Sequence, residues 1–456
     1  MPPQLALLLT IGFVLFLFRW ETRAAGRMSR ALWIPLTWIL ITGSRFVGQW
    51  LQVFTGGSGG VAYDEGSPLD ALVFLALIIA GFNVLRHRQV TVSEVIRNNR
   101  WISIFFIYGF VAILWSDFPF VAFKRWIKVL GHPIMALVIL TEPNPMAALR
   151  GVLKRAAFVL LPFSVVFIKY FPEIGRGFDP WGGQAVNNGV NITKNELGCM
   201  CMVSGLFFFW NLLQARQLED RKARRNEVLM SIGFLAMVLW LLALADSATS
   251  LACAVIGAGA MVLLGIRWVN KKYLGVYVVV GVLVFGTAET LLGVYAGVVE
   301  MLGRDPNLTD RTEVWADALA LVDNPVLGAG FESFWLGERL DKLWAKWWWQ
   351  PNQSHNGYIE TYLNLGAVGV ILLITMAVAT FKKAQAELLR NFEFGRLRMA
   401  FLIVILVYNF TEATFKAVAV LWTLFHIIAL DYPKYAPNSG TQTFVPQSGV
   451  RKTASD

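Results

Sequence analysis

Arg311 and His355 bracket the longest polar interval between apolar stretches of this chain, residues 301–356. They make a chemical pair. A guanidinium grips phosphate oxygens through paired N–H donors, and an imidazole takes a proton from a hydroxyl near neutral pH. His355 stands in NQSHNGYIE after Asn352 and Ser354, both capping types. The sequence therefore predicts that it begins a helix and shares a face with Ile359 and Tyr362. A helix start binds anions through its free N–H groups and disfavours further positive charge, which suits a neutral imidazole acting as a base. Arg311 opens RTEVWADALALV, whose apolar spacing predicts a short amphipathic helix capped by Thr309 or Asp310. A cation in a first turn needs an anion nearby. A bound phosphate supplies one; a surface pair with Glu313 or Asp310 is the structural alternative.

Further cations stand where charge is costly. Arg45 lies within the apolar stretch ITGSRFVGQW, and Lys124, Arg125 and Lys128 lie within another, Lys124 and Lys128 at the i,i+4 spacing that puts both on one helix face. Lys169 ends an apolar stretch. Arg176 and Lys194 belong to the Gly- and Asn-rich interval 171–195, whose composition predicts turns. A cation near mid-bilayer costs at least about 2.5 kcal/mol, although one near a helix end can snorkel to the surface. Taken together, the set points to a polyanion held at one depth, with lipid-linked pyrophosphate the natural ligand. Thr193 and Glu196 have the spacing of a capping box, a structural role. Capping does not explain Lys194, a cation at a positive helix terminus.

The elements that position these residues follow from composition. The chain has 456 residues, is 56% hydrophobic and 15% charged, and has a mean hydropathy of +0.55. Apolar segments are read at about 3–18, 32–54, 69–85, 101–116, 119–140, 156–170, 196–213, 227–245, 248–266, 273–297, 357–381, 399–414 and 416–431, many near the length that crosses a bilayer. The expected fold is all-α: a polytopic integral membrane protein of about 12–13 transmembrane helices with a large ordered external loop. Arginine- and lysine-rich connections alternate with cation-poor ones, which puts the basic connections in the cytoplasm and the intervals 171–195 and 300–356 outside. The net charge of +10 follows from that bias and implies no nucleic acid partner. Residues 1–431 form the membrane domain. The Pro- and Ser-containing tail 432–456 is expected to be disordered in the cytoplasm. The stretch after Met1 lacks a basic n-region and a small-residue cleavage site, so no cleaved signal is expected. Cys199, Cys201 and Cys253 lie in apolar segments and imply neither a disulfide framework nor a metal site.

Three motifs occur in order: KNELG after the Gly/Asn interval, DRTEVW followed by NPVLGAGFESFW, and SHNGYIETYLNLGAVG. Together they resemble the O-antigen ligase and O-antigen polymerase superfamily of bacterial envelopes, which includes exopolysaccharide polymerases; the resemblance is clearest over 160–380. It implies a metal-independent, membrane-embedded glycosyltransferase of the bacterial inner membrane. Such an enzyme works at the periplasmic face among membrane lipids, on a glycan carried by undecaprenyl pyrophosphate, with no cofactor. Carried over, the family's essential arginine and its histidine in H-N-x-x-[LI]-E fall on Arg311 and His355, with Arg176 and Lys194 as weaker matches. The family's usual twelve helices contrast with the thirteen segments read here.

The chemistry is consistent with that resemblance. Departure of a diphosphate from a sugar places negative charge on the leaving group, and fixed cations stabilise it. Arg311 is assigned to the pyrophosphate, with Arg176, Lys194, Lys124, Lys128 and Arg45 around it. His355 is the base or a phosphate contact, and Asp246 and Glu412 are alternative bases. The external intervals contain no D-x-D, so no metal is expected. Attack opposite the pyrophosphate inverts the anomeric centre. The acceptor is another lipid-linked repeat, lipid A-core, or a Ser or Thr side chain. A transporter or flippase is the rival class, and it would call for charges near mid-bilayer and broken helices.

Overall fold

The computed structural model describes residues 1–25, 28–55, 67–179, 183–292, 311–416 and 418–432. Most of the connection 55–68, the caps expected at Thr309 or Asp310, and the tail from 433 lie outside the described residues. The helices are α1 (Pro3–Ala25), α2 (Trp33–Thr42), α3 (Val47–Thr55), α4 (Pro68–His87), α5 (Val92–Asn98), α6 (Arg100–Val111), α7 (Pro119–Leu140), α8 (Pro145–Tyr170) and α9 (Pro172–Gly175). A short hairpin follows, β1 (Arg176–Phe178) with β2 (Ala185–Asn187), paired antiparallel with Arg176 opposite Asn187. Then come α10 (Lys194–Ala215), α11 (Arg221–Ala245), α12 (Ala248–Gly265), α13 (Leu274–Leu292), α14 (Arg311–Ala320), α15 (Gly337–Lys346), α16 (Gly357–Arg390), α17 (Phe392–Tyr408) and α18 (Val420–Ala429). The architecture is an all-α polytopic membrane protein.

Each of the thirteen expected apolar segments contains helix, but not each is a full span. Among the described residues, α1, α4, α8, α10, α11, α12 and α16 are long and apolar enough to cross a membrane. The segment read as 32–54 is a broken element, α2 and α3 meeting at a 56° bend. Helix α7 is long enough but carries Lys124, Arg125 and Lys128. The segments read as 399–414 and 416–431 are interrupted by non-helical backbone over 409–416, so Glu412 and Lys416 lie in a connection. Helix α18 has 10 residues, about 15 Å of rise, half of what a bilayer core needs. Every residue from Leu421 to Ala429 is buried, which makes α18 a core helix.

The alternation of charge in the sequence becomes two separate sets of contacts. At the basic end, cations meet buried or half-buried carboxylates: Arg155 with Glu21 at 2.6 Å, Lys154 with Glu227 at 2.9 Å, Arg398 with Asp431 at 3.1 Å, and Arg88 with Glu142. At the other end, the connection after α8, the α11–α12 turn, the α17–α18 turn and the described part of the large loop touch one another. Asn187 donates to Leu244 O (3.1 Å), Thr249 bonds Thr411 (2.8 Å), and Asn356 donates to Phe410 O (3.0 Å).

The described part of the large loop is ordered and has its own core. Val314 and Ala318 of α14 and Leu343 of α15 pack with Phe334, Trp335, Trp347 and Leu363. The stretch Asn324–Gly330 is inserted into a break in α16. Gly366 interrupts that helix with φ +63°, and the backbone groups freed there bond the loop instead. Ala367 donates to Pro325 O (2.9 Å), Ala329 to Leu363 O (3.0 Å) and Gly330 to Asn364 O (3.0 Å). Tyr108 Oη donates to Leu365 O at 2.9 Å. Irregular backbone in such a chain persists only where its polar groups are met by protein. The GxG of this loop is a packing device: a Cβ at Gly328 would meet the Asn364 carbonyl carbon at 2.5 Å.

Replacing Gly366 with Ala forces a left-handed φ on a residue with a Cβ and puts that Cβ 2.2 Å from Val326 O. The expected result is a loss of about 2–4 kcal/mol, measured as thermal unfolding in detergent; an unchanged midpoint contradicts this account of the break.

Candidate active site

The site is organised by Glu412, in the α17–α18 turn. Its Oε1 accepts from Asn195 Nδ2 (2.8 Å) and from Arg311 Nη2 (3.3 Å), and its Oε2 lies 3.2 Å from His355 Nδ1. Arg311 Nη1 also donates to the carbonyl of Thr411. The side chains of Glu412, Arg311 and His355 are 12%, 18% and 23% exposed, so the cluster is half-enclosed with His355 its most open member. Burial pushes the Glu412 pKa up, but the hydrogen bond from His355 and the charge of Arg311 outweigh it, so the net shift is down. The carboxylate is ionised and acceptor-only, which fixes Nδ1 of His355 as a donor and turns Nε2 away from it.

Four elements deliver these groups. Arg311 is the first described residue of α14. The anion that a first-turn cation requires is Glu412, rather than Glu313. Asn195 stands in the first turn of α10, whose start is fixed by the expected capping box of Thr193 and Glu196. His355 departs from expectation. The cap of α16 is Asn356, whose Oδ1 accepts from Tyr358 N (2.9 Å) and Ile359 N (3.1 Å). His355 therefore precedes the helix and does not share a face with Ile359 and Tyr362. Its φ is +53°, a left-handed conformation that costs a residue with a Cβ about 1–2 kcal/mol. Fixed neighbours hold it there: Ser354 N donates to Glu360 Oε2 (2.9 Å), Ser354 O accepts from Trp315 Nε1 (2.6 Å), and Gly357 N donates to Asn409 O (2.8 Å). Trp349 lies beside the imidazole, with ring centroids 6.4 Å apart.

The remaining expected cations are distributed around this cluster. Lys194, next to Asn195, faces Asp179 (3.4 Å) and Asp246 (3.8 Å). Arg176, in β1, donates from Nε to Ile168 O at 2.9 Å. Arg45 occupies the break between α2 and α3 and is buried. It donates to Asn191 O (3.0 Å) and Ile174 O (2.7 Å) and lies over the Trp50 ring, so in this structure it fastens the connection after α8 to the bend. Lys124 lies over Phe120. Lys128 has Arg125, Asp70 and Glu332 as charged neighbours. The described contacts of Arg45, Lys124 and Lys128 are therefore away from Arg311 and His355. Asp246 is at the α11–α12 turn with φ +46°.

Sequence reasoning missed Asn195 and Lys416. Lys416 donates to Gln353 Oε1 (2.9 Å), two residues before His355, and lines a small cavity of about 30 Å³ with Glu332, Glu360 and Asn364. Its signal was present: a lysine inside ATFKAVAV, four residues after Glu412. The cavity has room for a water and is too small for a sugar. Among the described residues no group of His, Cys, Asp and Glu has the arrangement to hold a metal ion.

Residues 232–374 match the family model described as O-Antigen ligase, a span that includes both Arg311 and His355. The exopolysaccharide production protein ExoQ of Rhizobium meliloti (strain 1021) is 28% identical over 295 residues, covering 62% of this chain and 64% of that relative. The chain thus spans less than two thirds of the relative it matches. The two matches support the O-antigen ligase and polymerase-like superfamily.

Because the folded pKa of Glu412 is depressed, its ionised contacts stabilise the fold above the ordinary value near 4.5, and this contribution is lost as pH falls through the lower folded value. Wild type is expected to unfold at higher temperature than Glu412→Gln at pH 6–8, the gap closing below about pH 4.5. A gap independent of pH across that range contradicts an ionised Glu412.

Proposed function

We propose that this protein is a membrane glycosyltransferase of the O-antigen ligase or polymerase type. In this reading it takes a glycan from undecaprenyl pyrophosphate at the periplasmic face of the inner membrane and transfers it with inversion. The observation that carries the reading is the meeting of Arg311 and His355 on one ionised carboxylate, at the end of the molecule away from the basic connections.

His355 Nε2 takes the proton of the acceptor hydroxyl while that oxygen attacks the anomeric carbon. The bond from that carbon to the pyrophosphate oxygen breaks, and its electron pair leaves with the diphosphate. Arg311 stabilises the charge gathering there, and of the five N–H donors of its guanidinium the bonds to Thr411 and Glu412 take two. Glu412 stabilises the imidazolium through Nδ1–H, as a carboxylate does behind a catalytic histidine. The proton then passes from His355 to water. Lys194, at the start of α10, is the second cation for the phosphates. Arg176 and Lys416 flank the same end, and Lys124 and Lys128 act further along the donor, whereas Arg45 is held by the carbonyls of Ile174 and Asn191.

A polysaccharide acceptor is favoured by the likeness to an exopolysaccharide production protein. Transport is disfavoured because the cations of the site gather at one end, beneath an ordered loop.

His355→Ala and Arg311→Ala are each expected to reduce glycan transfer by at least about 100-fold at an unchanged amount of protein in the membrane. In a deletion strain, accumulation of single lipid-linked repeats marks a polymerase, and polymer retained on the lipid carrier marks a ligase. Near-normal glycan output from His355→Ala overturns the assignment.

A further inference from the structure

The indoles that follow α15 do not all serve the loop core. Trp347 does: it is buried, and its Nε1 donates to Asp317 at 2.9 Å. Trp349 is half-buried against the same core beside His355. Trp344 is 37% exposed with its Nε1 fixed on Pro351 O (2.9 Å), and Trp348 is 64% exposed. A tryptophan side chain buries about 150–250 Å² when fully enclosed, and part of that area is open at Trp344 and Trp348. These two indoles stand on the segment that ends, at Trp349, beside the imidazole.

Two occupants suit an exposed indole near a membrane: lipid headgroups and the flat apolar face of a sugar ring. The charge of the loop decides between them. Residues 311–356 carry six carboxylates against four cations, a net negative stretch in a chain of net charge +10. Lys342 and Lys346 beside the indoles are paired within the protein, with Glu338 at 2.8 Å and Asp317 at 2.7 Å, and so are not directed at lipid phosphates. An acidic, internally neutralised surface is repelled by anionic lipid and tolerates a hydroxyl-rich chain.

We infer that Trp348, with Trp344 beside it, forms a stacking subsite for a glycan chain, leading along Trp349 to His355. This deepens the proposed function, on which it rests, by assigning the contact for sugar residues beyond the reacting one. Stacking on an indole face adds affinity without touching the bonds that change, so it acts on acceptor or donor capture and on the length of the product.

The test compares wild type, Trp348→Ala and Trp348→Phe at equal protein levels in the membrane, reading the length distribution of the exported glycan. The acceptor KM is measured in nanodiscs of zwitterionic and of anionic lipid. Trp348→Ala is expected to shorten the product and raise KM about three- to tenfold with kcat within about twofold, equally in both lipids, while Trp348→Phe stays near wild type. An unchanged length and KM, or an effect confined to anionic lipid, overturns the subsite. Glycan output persisting in His355→Ala would instead overturn the underlying reading, so the two failures are distinct.

Discussion

A carboxylate withdrawn from water must be met by charge or by several donors, or it takes up a proton. Glu412 satisfies this with three side chains from three places in the sequence: Asn195, Arg311 and His355. None of the three is a neighbour of Glu412 in the chain. Each sits at the start of a helix or just before one, where a small rotation of that helix would carry it away. One buried charge thus sets the relative positions of α10, α14, α16 and the α17–α18 turn. Removing a partner from such a charge is more costly than never having formed the pair, so the cluster resists drift of any one element.

Such a cluster needs a support that does not yield. The break at Gly366 provides one, because the loop stretch Asn324–Gly330 is bonded into the helix that follows His355. Loop and helix become one body, with the core around Phe334 and Trp347 on its outer side. The left-handed backbone at His355 is held by that body. A histidine on the regular face of α16 would point along the helix, whereas one placed before the cap turns its ring toward Glu412 and Trp349. Local backbone strain and site geometry are here the same fact.

How much of this was legible in the sequence depended on the range of the interaction. Thr193 and Glu196 are three residues apart, and their capping box forms as their spacing predicts. Arg311 falls in a first turn and is answered by an anion, but which anion could not be read, because Glu412 is 101 residues away. The sequence places the cap of α16 at Asn352 or Ser354, whereas Asn356 takes it, with its own amide held by Phe410 O. Arg45 looked like a cation awaiting a ligand because its partners, the carbonyls of Ile174 and Asn191, carry no side-chain signal. Gly366 sits in LNLGAVG, which reads as ordinary helix until the loop that enters it is known. The apolar count overstated the spans for a related reason: α18 is apolar because it is buried in protein.

The two ends of the molecule use the same residue types for opposite purposes. At the basic end, Lys154 and Arg155 are paired with Glu227 and Glu21 through short contacts between buried or half-buried groups, which leave little room for anything else. At the loop-bearing end, one carboxylate is shared between Arg311 and His355 at 3.3 and 3.2 Å, with the histidine side partly open. A shared anion leaves a surplus of positive charge whenever the histidine is protonated. In the proposed reaction, the departing diphosphate is held most strongly once His355 has taken up the acceptor's proton, which is when charge builds on the leaving group. On that proposal, coupling base and cation through one carboxylate makes the pull on the phosphate rise with the progress of the reaction, which is the condition for stabilising the transition state more than the ground state.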